Sequence, residues 1–292
     1  MGDYTNAIEI KGITKHYDGF TLDRVSFEVP KGSIMGYIGQ NGAGKTTTIR
    51  SLLNIIPIDS GEIGILGLDH IKDDAEIKQR IAVVFDELPF HDIFSANDMA
   101  KIFEGLYSQW DNGIYKEYLD RFHLPSRKKI GQFSKGMKMK LQVACALSHN
   151  AELLVMDEPT TGLDPVVRDE ILHIFMEYLD TEDRSILMSS HITSDLEKIA
   201  DSVTYIDKGK ILVSGYKDEI LEKHGVIKCS KEELKSIDPR DIVSIRINDF
   251  GAEAMVYDKE TISYKYNGLL IDPTSLEEIM LYYVNRDKGE WS

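Results

Sequence analysis

Gly39-Gln40-Asn41-Gly42-Ala43-Gly44-Lys45-Thr46 has glycine at its first and sixth places and Lys-Thr at its end, the G-x-x-x-x-G-K-[ST] spacing of a phosphate-binding loop. Its glycines let the backbone curl so that several N–H groups aim at one phosphate chain. Just upstream, Ile34-Met35-Gly36-Tyr37-Ile38 is an apolar run of strand length. Downstream, the chain to about Leu53 reads as a helix closed off before Pro57. A helix starting at the loop adds its positive end to the site. In such a loop Lys45 reaches the β- and γ-phosphates and the Thr46 hydroxyl ligates Mg²⁺, so a nucleotide is the expected ligand.

Working outward, Ala7-Ile8-Glu9-Ile10 and Val25-Ser26-Phe27-Glu28-Val29 alternate as half-buried strands do. Four further runs read as strands: Ile81–Phe85, Leu153–Met156, Ser185–Met188 and Val203–Ile206. Helices fit between them over 166–179 and 193–200, and this alternation predicts an α/β fold with a mainly parallel sheet covered on both faces. From about 95 to 149 the period is helical, with Met99, Ile102, Phe103 and Leu106 three and four apart, so a helical subdomain is expected at about 90–150. The main unit is expected to span 1–222. Residues 223–292 read as a small α+β accessory domain, with β-like runs at 242–247, 254–257 and 262–266 and a last helix over about 275–284. The aromatics Tyr282, Tyr283 and Trp291 suit its core.

The chain has 292 residues, 42% of them hydrophobic and 28% charged, and a net charge of −15. That balance argues against a sequence-blind grip on nucleic acid, which needs a basic surface. Cys145 and Cys229 fit no metal spacing and read as small buried or half-buried side chains. Few cysteines suit a reducing cytoplasm. The first residues have neither the basic start nor the apolar run of a secretion signal. No stretch approaches the roughly 18 to 20 apolar residues needed to span a bilayer, so a link to a membrane is expected through a partner.

Leu153-Leu154-Val155-Met156-Asp157-Glu158 delivers two carboxylates at a strand end, where parallel sheets bind ligands. Asp157 is the candidate for holding Mg²⁺, and Glu158 for orienting or deprotonating the attacking water. His191, past the run that ends at Met188 and two serines, is placed to hydrogen-bond the γ-phosphate or that water.

Together these segments resemble the nucleotide-binding subunit of an ABC transporter over residues 7–222. Phe133-Ser134-Lys135-Gly136-Met137 resembles the family signature L-S-G-G-Q, Gly162-Leu163-Asp164 its D-loop, His191 its switch histidine and Tyr17 the aromatic that stacks on adenine. The resemblance implies a P-loop NTPase core with an added antiparallel β part. It implies an ATPase with ATP and Mg²⁺ bound by Gly39, Asn41, Gly42, Ala43, Gly44, Lys45, Thr46 and Thr47. It also implies a head-to-tail pair, with itself or with a second ATPase, in which Ser134, Lys135, Gly136 and Met137 face the other chain's ATP. Two places depart from the pattern. Lys135 and Met137 replace a glycine and the glutamine of the signature, and Asp86 stands where the family has a glutamine touching Mg²⁺. The signature and the ending Asp272 to Ile279 resemble ATPases of multidrug and antibiotic exporters, which work with separate permeases on the inner face of the membrane. A soluble ABC ATPase in a non-transport complex and a regulatory protein that has lost catalysis are the rival readings.

Overall fold

The apolar runs form the middle of one sheet in a computed structural model that describes residues 4–180, 183–249, 251–286 and 290–291. In chain order the first strands are β1 (Asn6–Tyr17), β2 (Phe20–Pro30), β3 (Ile34–Ile38), β4 (Ser60–Ile65) and β5 (Leu68–Asp69). Then come β6 (Ile81–Phe85), β7 (Leu153–Asp157), β8 (Ser185–Ser190), β9 (Ser202–Asp207) and β10 (Lys210–Tyr216). The last five are β11 (His224–Cys229), β12 (Ile242–Ile247), β13 (Ala252–Tyr257), β14 (Ile271–Asp272) and β15 (Glu290–Trp291). The helices are α1 (Lys45–Leu52), α2 (Asp74–Arg80), α3 (Ala96–Leu106), α4 (Asn112–Arg121), α5 (Lys135–Leu147) and α6 (Pro165–Leu179). They continue with α7 (Thr193–Ile199), α8 (Lys217–Lys223), α9 (Lys231–Leu234), α10 (Lys259–Lys265) and α11 (Leu276–Val284).

The central sheet runs β10-β9-β3-β8-β7-β6, parallel except for the β9/β10 hairpin. β3, β7 and β8 are buried at every position, as strands covered on both faces must be. Their register aligns Ile38 with Ser190, Ser189 with Asp157 and Asp157 with Phe85. The carboxyl ends of four strands therefore lie along one edge, in the order β3, β8, β7, β6.

Two apolar layers clamp this sheet. On one face, the antiparallel sheet β2-β1-β4-β5 turns Ile8, Ile10, Val25 and Phe27 inward against Tyr37, Val155 and Ile49 of α1. Phe27 stacks on Tyr37 with ring centres 5.0 Å apart. On the other face, Met156 and Met188 meet Leu141 of α5, Phe175 of α6 and Leu196 of α7. Burial of each such side chain contributes about 1.5–3 kcal/mol. Cys145 is buried and Cys229 half-buried, both as free thiols.

After α8 the chain forms a third sheet, β14-β11-β13-β12-β15. Strand alternation splits its contacts: Val226 and Met255 join the main core, while Ile227, Ala254 and Val256 form a smaller cluster with Ile262. Leu276 and Ile279 of α11 pack into the main core, and the Leu276 N–H donates to Glu197 at 2.7 Å. Tyr282 is buried and Tyr283 half-buried; the Trp291 side chain lies outside the described residues. One expected strand is corrected. The run 262–266 lies in and just after helix α10, capped by Asp258, whose carboxylate accepts the Thr261 N–H at 3.4 Å. Ile262 and Tyr266, four apart, both face the small cluster, and that spacing suits a helix.

The β9–β10 turn braces the first half of the fold. Lys208 and Gly209 both have positive φ, 45° and 75°, as a tight hairpin requires. The Gly209 N–H donates to Ala43 O and its carbonyl accepts the Asp23 N–H, each at 2.9 Å. A Cβ on Gly209 would lie 1.9 Å from Thr21 O. Gly209→Ala is expected to lower stability by about 2–3 kcal/mol in urea unfolding. An unchanged midpoint would show that the turn braces nothing.

Candidate functional site

Gly44, at φ 119°, is the N-cap of α1, and a Cβ there would lie 2.8 Å from Leu22 and 3.0 Å from Phe20. The loop therefore curls directly beneath the start of β2. This contact brings the β1–β2 turn, with Tyr17 just before it, close to the loop. Tyr17 is 46% exposed, with Lys15 Nζ 5.7 Å from its ring centre. Gly39, Ala43 and Gly44 are buried, Asn41, Gly42 and Thr46 exposed, and Thr47 half-buried. The next threonine anchors the helix inward: Thr48 Oγ1 donates to Gly44 O at 3.0 Å and meets the Tyr37 hydroxyl at 3.0 Å.

Lys45 folds back over the loop and is only 5% exposed. Its ammonium donates to Gly39 O at 2.6 Å and Gln40 O at 3.2 Å, and pairs with Glu158 Oε1 at 3.1 Å. Glu158 follows β7 with φ 55°, a left-handed conformation uncommon outside glycine. Two bonds hold it there: its N–H is shared between Ser189 O at 3.2 Å and Ser189 Oγ at 3.1 Å. Its second oxygen accepts from Thr161 Oγ1 at 2.8 Å and lies 2.7 Å from His191 Nδ1. Burial alone raises the Glu158 carboxyl; the Lys45 charge, the Thr161 hydroxyl and the His191 ring outweigh it and hold it below its ordinary value. Asp157 is buried, and Ser189 Oγ donates to its Oδ1 at 2.6 Å. Lys45, Asp157, Glu158 and His191 thus meet at one edge, as strand order dictates.

This donor set fits a nucleotide tail with its metal. The buried Lys45 ammonium lies at the loop and the start of α1, with the Asp157 carboxylate at the end of β7, two strands along the same edge. Among the described residues no group of three or more His, Cys, Asp or Glu could hold a metal by itself. Thr46 and Asp157 suit Mg²⁺, which keeps several waters and takes few protein ligands.

The remaining residues singled out in the sequence stand at the ends of other elements. Ser134 caps α5, its hydroxyl accepting the Met137 N–H at 3.2 Å; Ser134 and Lys135 are exposed, Gly136 and Met137 half-buried. Asp164 caps α6, its carboxylate accepting from Val166 and Val167 N–H at 3.1 Å, with Pro165 in the first turn. Asp86 is half-buried after β6 and accepts from Lys135 Nζ at 2.8 Å. Three contributors carry no signal in the sequence reading: Ser189, Thr161, and the brace in which Thr160 Oγ1 donates to Asp195 at 2.7 Å while Arg168 pairs with the same carboxylate.

Removing the Glu158 charge leaves Lys45 with carbonyl partners alone. Glu158→Gln is expected to destabilise the nucleotide-free chain by about 1–3 kcal/mol at pH 7 in urea unfolding. The Glu158 carboxyl sits below its ordinary 4.5 when folded, so its contribution is complete above that pH and fades as pH falls through the lower folded value. The gap between wild type and variant should narrow below about pH 4.5; a gap that widens there would contradict the assignment.

Residues 22–161 match the family described as ABC transporter. The ATP-binding protein NatA of Bacillus subtilis (strain 168) is 36% identical over 204 residues, 68% of this chain and 82% of that protein. The bacitracin transport ATP-binding protein BcrA of Bacillus licheniformis is 36% identical, over 70% of this chain and 68% of its own length. The Nod factor export ATP-binding protein I of Rhizobium sp. (strain N33) is 30% identical across 96% of this chain and 98% of its own. A solved ATP-binding subunit of an ABC transporter superposes with a TM-score of 0.68 at 26% identity, over 74% of this chain and 92% of that one. Among the described residues no helix is long and apolar enough to cross a membrane. The chain belongs to the ATP-binding subunits of ABC transporters, which bind and hydrolyse ATP to power transport.

Proposed function

We propose that this chain closes head to tail, with a second copy or with another ATP-binding subunit, over two ATP molecules and drives an export permease at the inner face of the membrane. The observation that carries the proposal is the Lys45–Glu158–His191 cluster, which joins a cation, a candidate base and its orienting histidine within 3.1 Å. Export is favoured by the likeness to the Nod factor export and bacitracin transport proteins. Residues 223–292 act as an accessory domain on the ATPase unit 1–222.

In this reading Tyr17 stacks on the adenine, the N–H groups of Gly39 to Thr47 wrap the phosphates, and Lys45 bears on the β- and γ-phosphates. Bound through Thr46 and Asp157, Mg²⁺ would neutralise phosphate charge. Glu158 takes a proton from the attacking water while His191 holds that water and the γ-phosphate in line. A new P–O bond forms as the β–γ bridge breaks, and Lys45 steadies the departing ADP. Ser134 and the Gly136 N–H reach the other chain's γ-phosphate from the start of α5, a helix end that favours an anion. Asp164 keeps the D-loop turn in shape as the cap of α6. Only the closed pair uses both sets of contacts, so ATP shifts the population toward closure.

Glu158→Gln is expected to bind ATP, to form an ATP-dependent dimer on size exclusion, and to hydrolyse about 10²–10⁴-fold more slowly. Turnover at the wild-type rate would remove Glu158 from the reaction and reopen the regulatory reading.

A further inference from the structure

Asp86 follows the last residue of β6. Lys135 Nζ donates to its carboxylate at 2.8 Å, and Lys138, one turn along α5, donates to Asp92 at 3.1 Å. A turn further, buried Gln142 clamps the Phe85 backbone: its Oε1 accepts the Phe85 N–H at 3.1 Å and its Nε2 donates to the Phe85 carbonyl at 2.9 Å. Positions 135, 138 and 142 are three and four apart and share one face of the helix. That face therefore holds both ends of the segment 85–92. The Lys135 ammonium also lies against the D-loop, since a Cβ on Gly162 would stand 3.2 Å from Nζ.

We propose that Lys135, with Lys138 and Gln142 behind it, moors segment 85–92 to the signature helix. Asp86 then serves as the anchor of Lys135, not as a magnesium ligand. The reading rests on the proposed function, because it gives α5 a nucleotide to serve. β6 ends beside Asp157 at the chain's own nucleotide, whereas α5 begins at the turn that meets the facing chain's nucleotide. Two residues that depart from the family pattern are thus partners: a lysine in place of a glycine finds an acid in place of a glutamine. The moored segment and the signature turn move as one body, and the two sites sense each other through it. The Asp86 and Lys135 side chains are 40% and 46% exposed, so solvent screens the pair and its effect on rate is modest.

The test compares kcat and KM for ATP in the full-length wild type, Asp86→Asn, Lys135→Met and the double variant, with melting curves alongside. Each single variant is expected to lose about two- to fivefold in kcat with KM nearly unchanged, and the double variant to be no slower than the slower single. Separate roles, Asp86 on magnesium and Lys135 on the facing phosphate, would multiply the losses and overturn the mooring. Wild-type rates in both singles would also overturn it. The exchanged pair Asp86→Lys with Lys135→Asp should regain most of the lost rate and guards against a simple folding defect. If the wild type neither binds nor hydrolyses ATP, the proposed function falls, and amide hydrogen exchange decides the mooring alone. Lys135→Met should speed exchange in segment 85–92 about two- to fivefold, and unchanged exchange would refute the pair.

Discussion

Lys45 is a buried ammonium, and a buried charge persists only where its hydrogen-bonding capacity is met. Two of its donors go to Gly39 O and Gln40 O, and the Glu158 carboxylate balances its charge as an ion pair at 3.1 Å. Much of the local geometry follows from that requirement. The loop curls so that two carbonyls turn toward the ammonium. Glu158 takes up a left-handed backbone that swings its carboxylate back over the loop, and Ser189 fixes that conformation from the neighbouring strand. A phosphate tail entering the loop competes for the same ammonium. In the proposed function, nucleotide binding would therefore compete with the Glu158 carboxylate for Lys45.

Such an arrangement needs strands whose ends stay aligned, and the two cores supply that. The central strands are buried on both faces, so a slip in register would move apolar side chains out of both layers at once. The brace at Gly209 ties the loop to β2, and the clamp of Gln142 on Phe85 ties the last strand of the edge to α5. Rigid supports thus reach the site from both of its sides, while the exposed starts of α5 and α6 face outward, where a second chain can meet them.

Much of this was legible from residues alone. The phosphate loop, the apolar strands and the paired acids are local signals: a spacing, a buried run and a strand end. Helix α5 was legible as part of the helical stretch read over about 95–149. What escaped was made by tertiary contact. Ser189 reads as one of two ordinary serines until the register sets it beside Asp157. The Ile262–Tyr266 run has an alternation that suits a strand, and only the cluster it joins selects the helix. Strands β4, β10 and β11 contain glycines or exposed positions that blur their period, and partners distant in sequence decide their pairing. The partner of Asp86 was hidden for a similar reason: its contact with Lys135 joins two segments 49 residues apart.

The most direct measurement of the central claim is equilibrium binding of a fluorescent ATP analogue, with magnesium, to the folded wild type and to Lys45→Ala. The account predicts saturable wild-type binding at about 1 mM or below and affinity at least about tenfold weaker in the variant. Equal affinities, or no wild-type binding at that concentration, would contradict it.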